Sequence, residues 1–270
     1  MTSAYAIVYW LVAVVYALAV GAEIAGQVFR RERLSRSSNA LVLVGVGVHA
    51  TLIAWRWIQA GHAPVIGAFE NCLLGAWFIV VMVVWTNRRR AFPLLAAGAL
   101  PLALLLLGFG GMAESAPSPF VASLRSFWLY IHIFFAWLAY GAYSVACGAA
   151  VVYLVKSRAA AAAPPETLAR LDELMFRATV FGFVTDAVLI AAGAIWAKNL
   201  WGSYWSWDPV ETWSLLSWLI YGLALHLRTT LGWRRRRLAW VLVFAIVGVL
   251  ISFWGVKYLM PGTAHVFTVD

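Results

Sequence analysis

Residues 196–213 read WAKNLWGSYWSWDPVETW, and two strongly apolar runs flank them. An indole has an apolar ring and one N–H donor, so single tryptophans are common where a membrane helix meets water. Here the indoles crowd one short segment that also holds Gly, Ser, Pro and two carboxylates, Asp208 and Glu211. This density favours a flat aromatic surface for a large planar ligand. An ordinary interfacial belt of tryptophans is the alternative.

The whole chain is too apolar for a soluble globular protein. Its 270 residues are 64% hydrophobic and 11% charged, whereas about a quarter of the residues in a soluble domain are charged. A membrane span needs about 20 apolar residues. Eight runs are long enough: about 4–29, 40–58, 67–86, 91–109, 126–155, 176–196, 212–231 and 238–260. The sequence therefore predicts an all-α polytopic membrane protein with about eight transmembrane helices. It is expected to form one domain over 1–270, with a tryptophan-rich loop at about 196–213.

The net charge of +9 is distributed in a way that indicates membrane orientation and not nucleic-acid binding. The basic residues are concentrated in alternate loops, after the first, third, fifth and seventh predicted spans. Because cytoplasmic loops are enriched in Lys and Arg, these loops are expected to be cytoplasmic. Both termini and the segment 196–213 then face the outer side. Residues 156–177 are predicted to be a cytoplasmic linker.

Several polar residues lie within the predicted spans, where their burial is unfavourable. Glu23 is expected either to serve a function, or to be protonated, or to pair with a neighbouring arginine such as Arg30. His49 is interpreted first as a packing residue, and Asp186 as a carboxylate that pairs with His49 or with an arginine. The two cysteines lie in separate spans without metal-site spacing and are expected to be buried, unreactive thiols.

Three further histidines occupy positions that suit metal coordination. His132 lies about two turns inside the fifth span, and His265 follows the eighth span on the same predicted side of the membrane. Imidazoles on helices that flank the aromatic segment are arranged to hold a planar iron macrocycle, so haem is the expected ligand. Zinc is the weaker alternative, because it requires a third or fourth ligand. His226 lies about 20 Å deeper than Glu211 along the seventh span and cannot share the outer ligand.

Residues 201–226, WGSYWSWDPVETWSLLSWLIYGLALH, closely resemble the WWD signature of the CcsA/ResC family of System II cytochrome c biogenesis proteins. That family belongs to a wider haem-handling group that includes CcmC and CcmF. The similarity extends to the segment around His132, to the turn at 61–70 and to the pattern at 255–265, so it covers essentially the whole chain. The chain departs from the family's usual residues at Val210 and within 255–265.

The resemblance implies a role for each candidate residue. The imidazoles of His132 and His265 would bind the iron of the outer haem. His226 would ligate a second, intramembrane haem, with His49 a secondary candidate. No residue is assigned as a catalytic acid or base. The aromatic loop would contact the outer haem through Trp201, Trp205, Trp207, Asp208, Glu211 and Trp213.

The resemblance also implies the reaction and its setting. The protein would conduct haem b from the cytoplasmic side and present it at the outer face, where the thiols of a Cys-x-x-Cys-His segment of apocytochrome c form thioethers with it. It would act as part of a holocytochrome c synthase with a CcsB/ResB-like membrane subunit and a thiol-reducing thioredoxin-like protein. The expected location is the inner (plasma) membrane, with the WWD loop facing the periplasm. The alternative is a CcmC-like haem transporter or delivery chaperone that does not itself support ligation.

Overall fold

The computed structural model describes residues 3–89, 92, 94–113, 115–116, 124–158 and 163–256. Within these ranges the chain is predominantly helical and contains no β-strand. Eight α-helices are described, and a π-helical turn, Ile251–Gly255, follows the last of them. The helices are α1 Ser3–Val28, α2 Glu32–Ala60, α3 Gly67–Asn87, α4 Leu95–Met112, α5 Phe127–Arg158, α6 Pro165–Trp201, α7 Pro209–Thr229 and α8 Arg236–Leu250.

Seven of the described helices are long and apolar enough to cross a membrane, namely α1 to α6 and α8 with its extension to Phe253. α7 is helical as predicted but less apolar, since it carries Glu211, His226 and Arg228. The prediction of an all-α, multi-pass membrane protein is confirmed. The position of both termini on the outer side remains a prediction.

The chain divides into two compact units, Met1–Leu124 and Arg125–Asp270. In the first unit, α1 packs against α2 and α4, and α3 packs against α2 and α4. In the second unit, α5 packs against α6 and α8, and α7 also packs against α6 and α8. Each unit buries one cysteine side chain, Cys72 in the first and Cys147 in the second, as expected. The single domain over 1–270 remains a prediction.

Glu23 joins three helices of the first unit. The hydroxyl of Ser35 on α2 donates to Oε2 at 2.8 Å, and the backbone N–H of Leu94, next to α4, donates to Oε1 at 3.2 Å. The alternative pairing with Arg30 is therefore wrong, because a hydroxyl and a backbone donor satisfy this buried carboxylate. Its role in the first unit is to hold helix ends together.

Arg56 and Glu70 form a buried ion pair that joins α2 to α3. Arg56 Nε donates to Glu70 Oε1 at 2.8 Å, and the N–H of Ile66 donates to Glu70 Oε2 at 2.9 Å. Arg56 Nη1 also donates to the carbonyl of Ser115 at 2.9 Å. A buried pair is tolerated when further hydrogen bonds satisfy both partners. The pair therefore fixes the turn at 61–66 and the segment that follows α4.

Two predicted loops are shorter than the sequence suggested. The linker expected at 156–177 is largely helical, because α6 begins at Pro165, a residue preorganised for the first helical turn. Two ion pairs between residues four apart lie on these first turns of α6. At its other end α6 continues to Trp201. The tryptophan-rich loop is therefore 202–208, and not 196–213.

Candidate functional site

The tryptophan-rich loop, residues 202–208, joins α6 to α7 in the second unit. α6 ends where Gly202 adopts a φ of +78°, and the N–H of Gly202 donates to the carbonyl of Lys198 at 3.0 Å. A left-handed residue at this place is normally glycine, which has no Cβ to clash. Lys198 Nζ donates to the carbonyl of Gly202 at 2.7 Å and lies 5.5 Å from the ring centroid of Tyr204. These contacts fix the direction in which the loop leaves α6.

Asp208 and Glu211 form a capping box at the start of α7. The Asp208 carboxylate accepts from the N–H of Val210 at 2.8 Å. Glu211 Oε2 accepts from the N–H groups of Ser206 at 2.8 Å and Asp208 at 3.2 Å. Carboxylates here satisfy backbone donors that lack a helical partner and lie at the positive end of the helix dipole. Both side chains are 8% exposed, so their observed role is to shape the loop.

The loop holds indoles at the surface of the second unit. Trp207 is 70% exposed and has a φ of +60°, which is uncommon for a residue other than glycine. Its ring meets that of Trp205 edge-on, with centroids 5.8 Å apart. Trp205 Nε1 is buried and has no hydrogen-bond partner among the residues that the structure describes. The indole of Trp213 is half-buried. A left-handed conformation costs a bulky residue about 1–2 kcal/mol, and a positive φ also occurs at Arg30, Leu94 and Arg235.

His132 on α5 is held against α6 by a hydrogen bond and a glycine. Its Nδ1 lies 3.0 Å from the carbonyl oxygen of Leu189. Because a carbonyl only accepts, Nδ1 carries the proton and Nε2 carries the lone pair that a metal ion requires. A Cβ at position 193 would lie 2.7 Å from Nδ1, so Gly193 admits the ring where a larger residue would displace it. A carbonyl that orients the imidazole in this way is usual for metal-binding histidines.

Trp196 connects His132 to the loop and was not among the predicted site residues. Its ring centroid lies 6.2 Å from that of His132 and 5.7 Å from that of Trp201. The three rings therefore form a continuous aromatic contact from α5 to the end of α6. The sequence does contain a signal for the packing of α5 on α6. His132 and Tyr143 on α5 are eleven residues apart, and so are Gly182 and Gly193 on α6. Each glycine receives one of the two rings.

His226 lies in the last turn of α7, at the opposite end from the loop, and its side chain is exposed. Continuous helix separates it from Glu211 by about 22 Å along the axis, so the two candidate positions are distinct. Its Nδ1 lies 3.3 Å from the hydroxyl of Thr230. The neighbouring Arg228 is buried, and its Nη1 donates to Asp172 on α6 at 2.8 Å. This ion pair anchors the end of α7 while His226 remains on the surface of the unit.

The other histidines of the predicted site have different outcomes. His49 is fully buried in the first unit, and its Nδ1 lies 3.2 Å from the hydroxyl of Tyr16. The predicted pairing of Asp186 with His49 or an arginine is wrong, because the carboxylate accepts from the Tyr143 hydroxyl at 3.0 Å instead. His265 lies outside the described residues. Across the described ranges, no three His, Cys, Asp or Glu side chains are grouped as in a metal-ion site.

A solved structure of a cytochrome c heme lyase, CcmF, has a similar fold. The TM-score is 0.70 with 19% sequence identity, over 91% of this chain and 45% of that chain. The chain therefore spans less than half the length of that protein, and the likeness concerns the fold.

Sequence relatives are closer. The cytochrome c biogenesis protein CcsA of Synechococcus sp. (strain RCC307) is 33% identical over 267 residues, which cover 86% of each chain. CcsA of Guillardia theta is 30% identical over 237 residues, which cover 78% of this chain and 79% of the relative. Residues 65–264 match the family described as Cytochrome C assembly protein. The chain therefore belongs to the cytochrome c assembly protein family.

Proposed function

We propose that this protein serves cytochrome c biogenesis by binding haem as a substrate and presenting it to apocytochrome c. The observation that carries the proposal is the position of His132. Its imidazole is oriented by the Leu189 carbonyl and lies beside Trp196, which leads to the exposed loop. The CcsA relatives, whose names state a role in cytochrome c biogenesis, support the same assignment.

The described residues suit haem better than a bare metal ion. A haem iron needs only one or two axial ligands from protein, because the macrocycle supplies the others. Structural and catalytic zinc sites take three or four protein ligands. His132 offers one imidazole, and the exposed rings of Tyr204 and Trp207 offer apolar surface on the same unit. His265 is proposed as the second outer ligand.

The contribution of the chain to the reaction is positioning and the exclusion of water. Nε2 of His132 would hold the iron, the indoles would cover the apolar edge, and the capping box of Asp208 and Glu211 would keep the loop in place. Each thioether forms when a cysteine S–H adds across a vinyl C=C bond. A new S–C bond is made and the thiol proton moves to the other vinyl carbon, so the addition itself consumes no oxidant or reductant.

His226 is proposed to bind a second haem on the path from the cytoplasmic side. Its exposed position at the end of α7 supports a site that is completed by another chain. We propose that this other chain is a CcsB/ResB-like membrane subunit. A thioredoxin-like protein would keep the cysteine thiols of apocytochrome c reduced. The cargo is haem b, and the loop 202–208 faces the periplasmic side of the inner membrane.

Co-expression with a CcsB-like subunit and a reporter cytochrome c tests the haem ligands. His226→Ala is expected to lower both haem per protein and covalent haem in the reporter, with partial recovery when imidazole is added. His132→Ala is expected to leave haem in the protein while reporter haem falls. His62→Ala, in a loop of the first unit, is the matched control and should behave as wild type. Wild-type reporter haem in the His132→Ala variant would show that this imidazole is not a ligand.

A second pair of variants tests whether the tryptophans of loop 202–208 contact haem or only mark the membrane–water interface. Trp207→Ala is expected to lower haem retention without loss of membrane insertion. Trp57→Ala, which removes a 54% exposed indole outside the loop, should leave haem retention unchanged. Equal effects of the two substitutions on retained haem would favour the belt interpretation.

A further inference from the structure

A buried carboxyl group lies in the second unit with no counter-charge among the described residues. Asp186 on α6 is 0% exposed, and its Oδ2 accepts a hydrogen bond from the Tyr143 hydroxyl at 3.0 Å. Its Oδ1 is buried and has no hydrogen-bond partner in the described part of the chain. Among the residues that the structure describes, no arginine, lysine or histidine lies within ion-pair distance of either oxygen. One phenol hydroxyl is therefore the only donor to this carboxyl group in the described part of the chain.

The surroundings of Asp186 are neutral and tightly packed. The ring of Tyr143 stacks on that of Tyr221, with centroids 3.5 Å apart and planes 3° apart. The Tyr221 hydroxyl on α7 is buried and, like Asp186 Oδ1, has no hydrogen-bond partner within the described ranges. The π-helical turn contributes Ser252, which is hydrogen-bonded to Tyr140. The titratable groups around Asp186 and Tyr221 are Tyr140, Tyr143 and Cys147 on α5 and Tyr221 itself on α7.

The contact between α5 and α6 holds this cluster in place. A Cβ at Gly182, one turn before Asp186, would lie 2.4 Å from Cε1 of Tyr143. The Tyr143 ring is therefore seated on the backbone of α6, with its hydroxyl directed to the carboxyl group. The same ring covers Tyr221, so three helices meet at one polar cluster.

An ionised carboxylate is unfavourable in these surroundings. Removing a charge from water without a counter-ion costs far more than one phenol hydrogen bond returns. A neutral carboxylic acid avoids this cost, because Oδ2 still accepts from Tyr143 while Oδ1 becomes a donor. Among the described residues neither Asp186 Oδ1 nor the Tyr221 hydroxyl has a hydrogen-bond partner, so the two do not bond to each other. The proton on Oδ1 therefore neutralises the carboxyl group, and the hydrogen bond from Tyr143 to Oδ2 is kept.

We infer that Asp186 and Tyr143 form a proton-binding site in the core of the second unit, with the ring of Tyr221 stacked on that of Tyr143. The proton resides on Oδ1 of Asp186, while Oδ2 accepts from the Tyr143 hydroxyl. Asp186 lies one helical turn from Leu189, whose carbonyl orients His132. Loss of the proton would therefore change the electrostatic field at that imidazole, a consequence that rests on the proposed function. The proton site itself does not depend on haem.

Infrared difference spectroscopy of the full-length protein without added haem tests the site. The wild-type spectrum minus that of Asp186→Asn at neutral pH should contain the C=O band of a carboxylic acid. Asp172→Asn is the matched control on the same helix, since Asp172 is paired with Arg228 at 2.8 Å. Its difference spectrum should show carboxylate bands and no acid band. Carboxylate bands without an acid band for Asp186→Asn would overturn the inference.

Two tyrosine variants keep the test decisive if Asp186→Asn does not fold. Tyr143→Phe removes the hydrogen bond to the acid carbonyl, so its band should move to higher frequency. Tyr221→Phe keeps that hydrogen bond and is the control, so the band should stay near its wild-type position. An acid band that is unchanged in Tyr143→Phe, or absent from the wild-type protein, contradicts the proposal. Because these spectra need no haem, their outcome is independent of the haem-retention experiments above.

Discussion

Substitution of Gly193 by alanine tests the position of His132 without touching the imidazole. The added Cβ would lie 2.7 Å from Nδ1 of His132, whereas comfortable contacts of this kind are about 3.5 Å. The ring must therefore move by roughly 0.8 Å, which lengthens its 3.0 Å contact with the Leu189 carbonyl. Loss of that hydrogen bond costs about 1 kcal/mol, and the higher helix propensity of alanine returns about 1 kcal/mol.

The expected result is therefore a protein of nearly unchanged stability that keeps its haem, as expected for His132→Ala, but transfers less of it to the reporter. A displacement approaching 1 Å at a reacting centre costs up to roughly 100-fold in rate, so covalent haem in a reporter cytochrome c should fall by about 10-fold to 100-fold. The assays are thermal unfolding in detergent, the haem absorption spectrum and reporter haem. Gly248→Ala is the control in the same unit, because its Cβ would meet neighbours at 3.4 Å or more. Wild-type reporter haem in Gly193→Ala would refute the argument from the position of the ring.

The remaining predictions concern substitutions of buried charged residues. For each variant the free energy of unfolding is measured by chemical denaturation in detergent. Glu211→Ala removes the acceptor of two backbone N–H groups and should cost about 2–4 kcal/mol, with a smaller loss for Glu211→Gln. Arg56→Ala leaves Glu70 buried without its counter-charge and should cost about 3–5 kcal/mol, whereas an apolar replacement of both partners should be nearly neutral. Arg228→Ala should have a similar cost through Asp172, and Arg228→Lys should restore only part of it. A loss below about 0.5 kcal/mol for any of the three alanine variants would contradict the corresponding role.

The helical class of this protein is predictable from composition, but the ends of α6 are not. The prediction equated a helix with an apolar run, so it began the sixth span at 176 and ended it at 196. Helix formation depends on backbone hydrogen bonds and local side-chain pairs, and these continue into polar sequence on both sides. The turns from Pro165 carry ion pairs, and the turns up to Trp201 end only at Gly202.

The candidate site was predictable in its members and not in its geometry. The aromatic segment and His132 were expected to lie at one depth, and Trp196 joins them within the second unit. The orientation of His132 depends on which faces of α5 and α6 meet, and no local pattern specifies that. Asp186 illustrates the same limit, since its partner Tyr143 lies 43 residues away in the chain. Asp208 and Glu211 did carry a readable capping pattern, but their aromatic context favoured a ligand interpretation.

The two proposed haem positions are linked by one rigid element. α7 is anchored at its first turn by the capping box and near its last turn by the buried pair of Arg228 with Asp172. Both anchors use polar residues, which helps to explain why α7 is not among the helices that are apolar enough to cross a membrane. The helix between the anchors is continuous, so the loop 202–208 and His226 are held about 22 Å apart. Under the proposed function, a haem that serves both positions must travel relative to α7, because the helix cannot shorten to bring His226 to the loop.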